Sequence, residues 1–333
     1  MAAKLMQRWT QAMRDRRFPD AWQLSAGALA ARDPATRDDP ALPYHLRWVW
    51  DGTPVDGRDV LVRCYHGLGD TIQFARFLPL LARRARRVTV EMQPELLPLF
   101  AHWRDRMAFQ PFDPAHPLPP AECDLEIMDL SFALQAAPDD HAAPYLPLRW
   151  HGPGSGAIGL CHAAGGWDAD RNLPAALLAP LCQTRAFTLL MPAPGAETAA
   201  LPVRNPHGCP PAIADTAALI AGLELVVTVD TMVAHLAGAM GVPTWVLLKH
   251  QPDWRWNPHA QTSCWYPQTR QFVQPRNGDW AGVVAQVAAA LSSHPAKGLM
   301  TPGNLDEEAA LCLVAGAGSG MIPPCPPLQG RTG

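Results

Sequence analysis

The feature that most constrains this chain is a rhythm. Short apolar runs are each followed by a segment with apolar residues at helical spacing, in two blocks separated by a proline- and glycine-rich stretch. In the first block Asp59 to Cys64 reads as a buried strand. Asp70 to about Arg84 reads as a helix with Phe74, Phe77, Leu78 and Leu81 on one face. Pro79 removes one backbone donor and should kink or split that helix. Val88 to Glu91 and Asp124 to Met128 read as further strands. The second block predicts strands at Ala157 to His162, Phe187 to Met191, Leu225 to Val229 and Thr244 to Leu248. Its helices are Pro174 to Cys182, a segment capped by Asp215 and ending at Gly222, Thr231 to Met240, and Trp280 to Leu291, the last with Val283, Val284, Val287 and Leu291 inward. Such alternation requires parallel strands covered by helices on both faces.

The expected class is therefore α/β, with two Rossmann-like parallel-sheet domains facing a central cleft. A length of 333 residues suits two domains. We place the boundaries at 44–150 and 151–293, with a helix pair and linker over 1–43 and a tail over 294–333. The helix pair runs from Lys4 to Arg14 and, after an Asp20 cap, from Ala21 to Ala31. A pair this short cannot bury its own face and must dock on something. From Ser292 the periodicity fails. Runs such as Gly316 to Gly320 and Pro323 to Pro327 supply no core, so the tail is predicted to be disordered.

Lys+Arg 27 against Asp+Glu 30 excludes a basic protein that coats nucleic acid. No stretch reaches the roughly 18 apolar residues of a membrane span, and the start carries no apolar signal region. Eight cysteines lie far apart with no CxxC among them, which points to reduced thiols, a cytoplasmic setting and no bound zinc.

Two loop-to-helix junctions carry the chemical signal. Gly67-Leu68-Gly69-Asp70 follows a buried strand, where ligands of parallel sheets bind, and its glycines permit a tight turn and close approach. Asp70 there is either a helix cap or a general base facing the cleft, and the roles can coexist. Asp230-Thr231-Met232-Val233-Ala234-His235 follows the strand Leu225 to Val229 and opens a helix, whose free N–H groups and dipole suit a diphosphate. Thr231 and His235 share a face one turn apart. His235 is either a hydrogen-bonded structural histidine or a ligand contact. In Pro252-Asp253-Trp254-Arg255-Trp256-Asn257 the aromatics either stack on a sugar or base, with Arg255 on phosphate, or clamp the loop to the domain.

Gly154 to Gly159 fits GxGxxG but precedes a strand, so it is discarded. Asp168-Ala169-Asp170 has the form of a metal-binding DxD, yet paired loop carboxylates ordinarily cap or face solvent. Arg83 to Arg87 ends a helix, where cations suit the dipole; the run also leaves peripheral contact with an inner membrane open.

Taken together, these segments resemble the heptosyltransferase-like glycosyltransferases of family nine, in the bacterial branch fused to tetratricopeptide repeats. The residues that carry the likeness are Gly67 to Leu81, Asp215 to Ile220, Val229 to Gly238, Pro252 to Trp256 and Trp265-Tyr266-Pro267, with Phe18 to Trp22 like the last helix pair of a repeat array. The resemblance implies a GT-B fold. It also implies inverting, metal-independent transfer of a sugar from a nucleotide-diphosphate donor to a glycan or protein acceptor, with no cofactor. Asp70 matches the family's base, with Gly67, Gly69 and Gln73 in the acceptor loop. Asp230, Thr231, Met232 and His235 match its nucleotide-sugar contacts, joined by Arg171, Glu197, Trp254 and Arg255. Tyr65-His66 and the stretch Cys161 to Trp167 depart from the family pattern. The 161–167 stretch and the reduction of the repeats to one helix pair keep open a non-catalytic nucleotide-sugar-binding or docking module; a nucleotide-sugar epimerase on the same fold is a third reading.

Overall fold

The computed structural model describes residues 2–148, 156–166 and 168–294. The predicted tail from 295 onward, the linker stretch 149–155 (with Gly154 and Ser155) and Trp167 lie outside the described residues. The chain opens with the helices Ala2–Arg14 (α1) and Phe18–Ala30 (α2), whose Met13, Phe18 and Ala21 are buried in a hydrophobic core that the two blocks share. The second helix begins earlier than predicted. Pro19 sits in its first turn, where no backbone donor is needed, and Asp20 pairs with Arg17 instead of capping. The pair docks as its shortness demands. Arg14 Nη2 donates to the Pro252 carbonyl at 2.7 Å, and the Trp9 ring meets Trp254 edge-on at 4.8 Å.

The first block contains Asp59–Arg63 (β1), then Leu68–Phe74 (α3), a single 3-10 turn, and Leu78–Arg84 (α4). The split falls where Pro79 predicts it, with the proline in the first turn of α4. Arg87–Met92 (β2), Ala108–Pro111 (β3), Cys123–Glu126 (β4) and Leu130–Leu134 (α5) complete the block. The strands are all parallel, in the order β3-β2-β1-β4. β3 was not foreseen: it is a four-residue edge strand, largely exposed, with no apolar run to announce it. The arginine run at the end of α4 is engaged by carboxylates near the start of β1: Arg84 with Asp56, Arg86 with Asp59 and Glu122.

The second block runs Ile158–Cys161 (β5), Ala179–Cys182 (α6), Phe187–Leu189 (β6), Ala196–Ala199 (α7), Ile213–Ala221 (α8), Leu225–Val229 (β7), Met232–Met240 (α9), Thr244–Leu248 (β8), Thr269–Val273 (β9) and Trp280–Ser292 (α10). Its parallel order is β6-β5-β7-β8-β9. Asp215 is the third residue of α8, not its cap, which is Ala212. β7 shows why the apolar run is unbroken: Leu225, Val227 and Val229 face α10, and Val226 faces the opposite core with α8 and α9. Six described cysteines are free thiols, five of them buried. Among the described residues no helix is long and apolar enough to cross a membrane.

The two blocks meet where α3 crosses α9. Only glycine at 69 allows this, because a Cβ there would stand 2.8 Å from His235 Cδ2; at Gly238 it would stand 2.5 Å from the Tyr266 ring. Arg76, fully buried, donates from Nε to the Gln73 carbonyl at 3.0 Å and from Nη1 to the Trp265 carbonyl at 2.8 Å. The rings of Tyr145, Trp265 and Tyr266 surround its guanidinium. Tyr145 ties both sides, its hydroxyl donating to the Ile72 carbonyl at 2.8 Å and its N–H to the Ala239 carbonyl at 2.9 Å.

Candidate functional site

The carboxyl ends of β1 and β7 bring the two predicted junctions into contact. Gly67 caps α3 with extended backbone, so the helix starts at Leu68, two residues before the predicted start, and Asp70 takes the third helical position. From there Asp70 Oδ2 accepts the Gly67 N–H at 3.0 Å, and Oδ1 pairs with Arg255 Nη2 from the tryptophan loop. Arg255 is otherwise engaged too: Nη1 donates to Asp253 Oδ1 at 2.8 Å and Nε to Gln73 Oε1 at 2.8 Å, with its guanidinium over the Trp254 ring. Burial opposes its charge, but Asp253 and Asp70 outweigh that and hold its pKa above the ordinary arginine value.

On the other side, Thr231 caps α9, its Oγ1 accepting the Val233 N–H at 3.1 Å. This leaves Asp230 just outside the helix, buried, with its carboxyl pKa raised by burial and by Asp253, against the pull of Arg255 and Arg171. Arg171 Nη1 donates to the Asp230 carbonyl at 3.1 Å. Arg171 is thus beside the α9 tip, and half-buried Met232 opens the first turn. His235 is 5% exposed, its Nδ1 3.0 Å from the Tyr266 hydroxyl and its ring stacked on Trp256. Burial, with Arg255, Arg76 and Arg171 nearby, drives its pKa well below the usual histidine value, so the ring is neutral. Nε2 lies 3.9 Å from Asp230 Oδ1.

Glu197 is exposed and stands apart from this cluster, on a half-open pocket of about 360 Å³ with His162, Asn172 and Thr198. Buried His162 bridges the Leu173 carbonyl and Thr198 Oγ1, each at 2.8 Å. Trp254 lies against Trp9, Phe74 and Trp265, and Trp256 is 1% exposed, so the loop is clamped to both the helix pair and α9. Asp168 pairs with Lys249 Nζ at 2.6 Å and accepts the Asp170 N–H, a capping carboxylate.

No family model and no curated protein matches the sequence. Solved structures do match. The Escherichia coli ADP-heptose LPS heptosyltransferase II superposes with a TM-score of 0.52 at 14% identity, over 71% of this chain and 98% of that one. A glycosyl transferase family 9 structure from Veillonella parvula gives 0.49 at 12%, over 72% and 98%. The E. coli heptosyltransferase WaaC with ADP-2-deoxy-2-fluoro heptose gives 0.44 at 12%, over 71% and 98%. The fold is GT-B-like. At 14% identity the likeness to heptosyltransferase II establishes the two parallel-sheet domains and nothing finer.

Several residues at the site were not singled out from the pattern. His66, immediately before the glycine turn, has Nδ1 3.0 Å from Oε1 of Glu126, which is buried at the end of β4. Burial disfavours the charged ring, but Glu126 outweighs it and raises the His66 pKa. The available signal for Glu126 was a carboxylate inside the apolar strand predicted from Asp124 to Met128, which the structure ends at Glu126. Asp253, which shares Arg255 with Asp70, had no signal beyond its place in the tryptophan loop.

Proposed function

We propose that the chain transfers a sugar from a nucleotide-diphosphate sugar to an acceptor hydroxyl. The observation that supports this is the contact of two turns from opposite halves: Asp70 on α3 and the Asp230–His235 start of α9, with Gly69 packed against His235 and Met232. In this reading the donor diphosphate lies at the α9 tip, where free N–H groups, the helix dipole and Arg171 offset the charge that develops on the leaving group. Glu197, on the pocket beside β5, receives the ribose. Asp70 accepts the acceptor proton as the hydroxyl attacks the anomeric carbon from the face opposite the leaving group, which inverts it. Each Asp70 oxygen makes one hydrogen bond here and keeps a lone pair for that proton. No metal or cofactor enters these steps.

The name of heptosyltransferase II makes an ADP-sugar the first donor to try. Asp70→Asn should lower turnover on the order of 10²–10⁴-fold while nucleotide binding, read as a thermal shift with ADP, GDP, UDP, CMP or dTDP, is kept. Unchanged turnover would remove Asp70 as base. One observation favours the non-catalytic alternative: both Asp70 oxygens are already bonded within the protein. Nucleotide binding with neither transfer nor donor hydrolysis across the panel would select it.

A further inference from the structure

A second cavity, of about 220 Å³, lies between the N-terminal helix pair, the α3 and α5 side of the first block and the tryptophan loop. Its walls are rich in indole, including Trp9, Trp22 and Trp254, but polar groups share them: Asp129, Ser25 and Arg32. Among the described residues the Asp129 carboxyl has no ion-pair partner. Burial and neighbouring Glu126 lift its pKa to about 7, Arg32 and His66 pulling the other way. Ser25 Oγ accepts the Trp9 Nε1–H at 3.0 Å and has no acceptor for its own hydrogen among the described residues.

We propose that this cavity binds a sugar ring and serves as an acceptor subsite. Flat aromatic walls suit the C–H faces of a pyranose, and a carboxyl, a hydroxyl and a guanidinium suit the hydroxyls at its edge. An apolar occupant would cover Asp129 and Arg32 without pairing them. A cationic occupant would meet Arg32 as a like charge. Position ties the cavity to the site: its inner wall includes Phe74, Met128 and Trp254, and Met128 Sδ lies 4.0 Å from the Arg255 Nη2 that pairs with Asp70. Met128 therefore stands between the cavity and the Arg255–Asp70 pair. The acceptor role rests on the transfer reading; the binding of a sugar ring does not.

The test uses the full chain and methyl glycosides of glucose, galactose, mannose and N-acetylglucosamine, read by tryptophan fluorescence and saturation-transfer NMR. Tetramethylammonium is the competing probe. At least one glycoside should bind saturably in the millimolar range. Asp129→Leu should weaken it at least tenfold and exposed Arg32→Ala about threefold, with melting temperatures recorded to confirm folding. Absence of saturable binding by every glycoside, binding unchanged in both variants, or binding of tetramethylammonium alone would overturn the proposal. The same preparation is melted with the nucleotide panel. Nucleotide binding without glycoside binding removes the subsite and leaves the transfer reading standing; glycoside binding without any nucleotide shift removes the transfer reading and leaves the sugar site.

Discussion

The starts of α3 and α9 occupy matching places, each following an interior strand of its sheet and each carrying an aspartate, yet they are built differently. At α9 a threonine caps the helix, so Asp230 is left outside it, buried and pushed toward its neutral form. At α3 a glycine caps, so Asp70 falls inside the first turn, partly exposed, and is held by its own turn and by Arg255. The histidines differ in the same sense. Glu126 raises the pKa of His66 beside the α3 turn, whereas burial lowers that of His235 in the α9 turn. One junction holds its carboxylate in an ion pair and the other buries its carboxyl. In the proposed reaction the first supplies the base and the second the anion cradle.

This contrast can be broken in stages. Arg255→Met leaves Asp70 and Asp253 without their shared cation and should cost about 3 kcal/mol in urea unfolding. Adding Asp70→Asn should recover part of that loss, and a strictly additive double mutant would show that the two side chains are not coupled. Next in size is Gly69→Val, which forces a Cβ against His235 and should destabilise by about 2 kcal/mol. Thr231→Ala should cost about 1 kcal/mol through the lost cap. Gly67→Ser, at the matching position, should change stability by only about 0.3 kcal/mol; equal effects at the two caps would erase the distinction between the junctions.

The last contrast is in pH. An NMR titration should place His66 above 6.5 and His235 far below it. Stability from the His66–Glu126 pair is then present below pH 6.5 and lost as pH rises through the folded-state value, and Glu126→Gln should abolish it. His235 acts in the opposite direction: below pH 6.5 the unfolded chain takes up a proton that the folded one refuses, so stability falls with acid. Matching titrations for the two rings would refute the asymmetry.

Much of this was legible in the sequence, because strand and helix periodicity are local properties of the chain. β7 and β8 fall at their predicted residues, the break at Pro79 falls where the missing donor puts it, and Thr231 caps the helix that its pattern announces. Local pattern did less well at edges and caps. β3 and β9 were missed because edge strands need no continuous apolar run, and Asp20, Asp70 and Asp215 all proved to lie within first turns. What no spacing could show is which distant groups share a charge. That Arg255 answers Asp70 across 185 positions, that Glu126 reaches His66, and that Trp254 packs on a helix from the start of the chain follow from how the two sheets meet. Periodicity is set by neighbours along the chain, whereas ion pairing and burial depend on distances that exist only once α3 and α9 have packed.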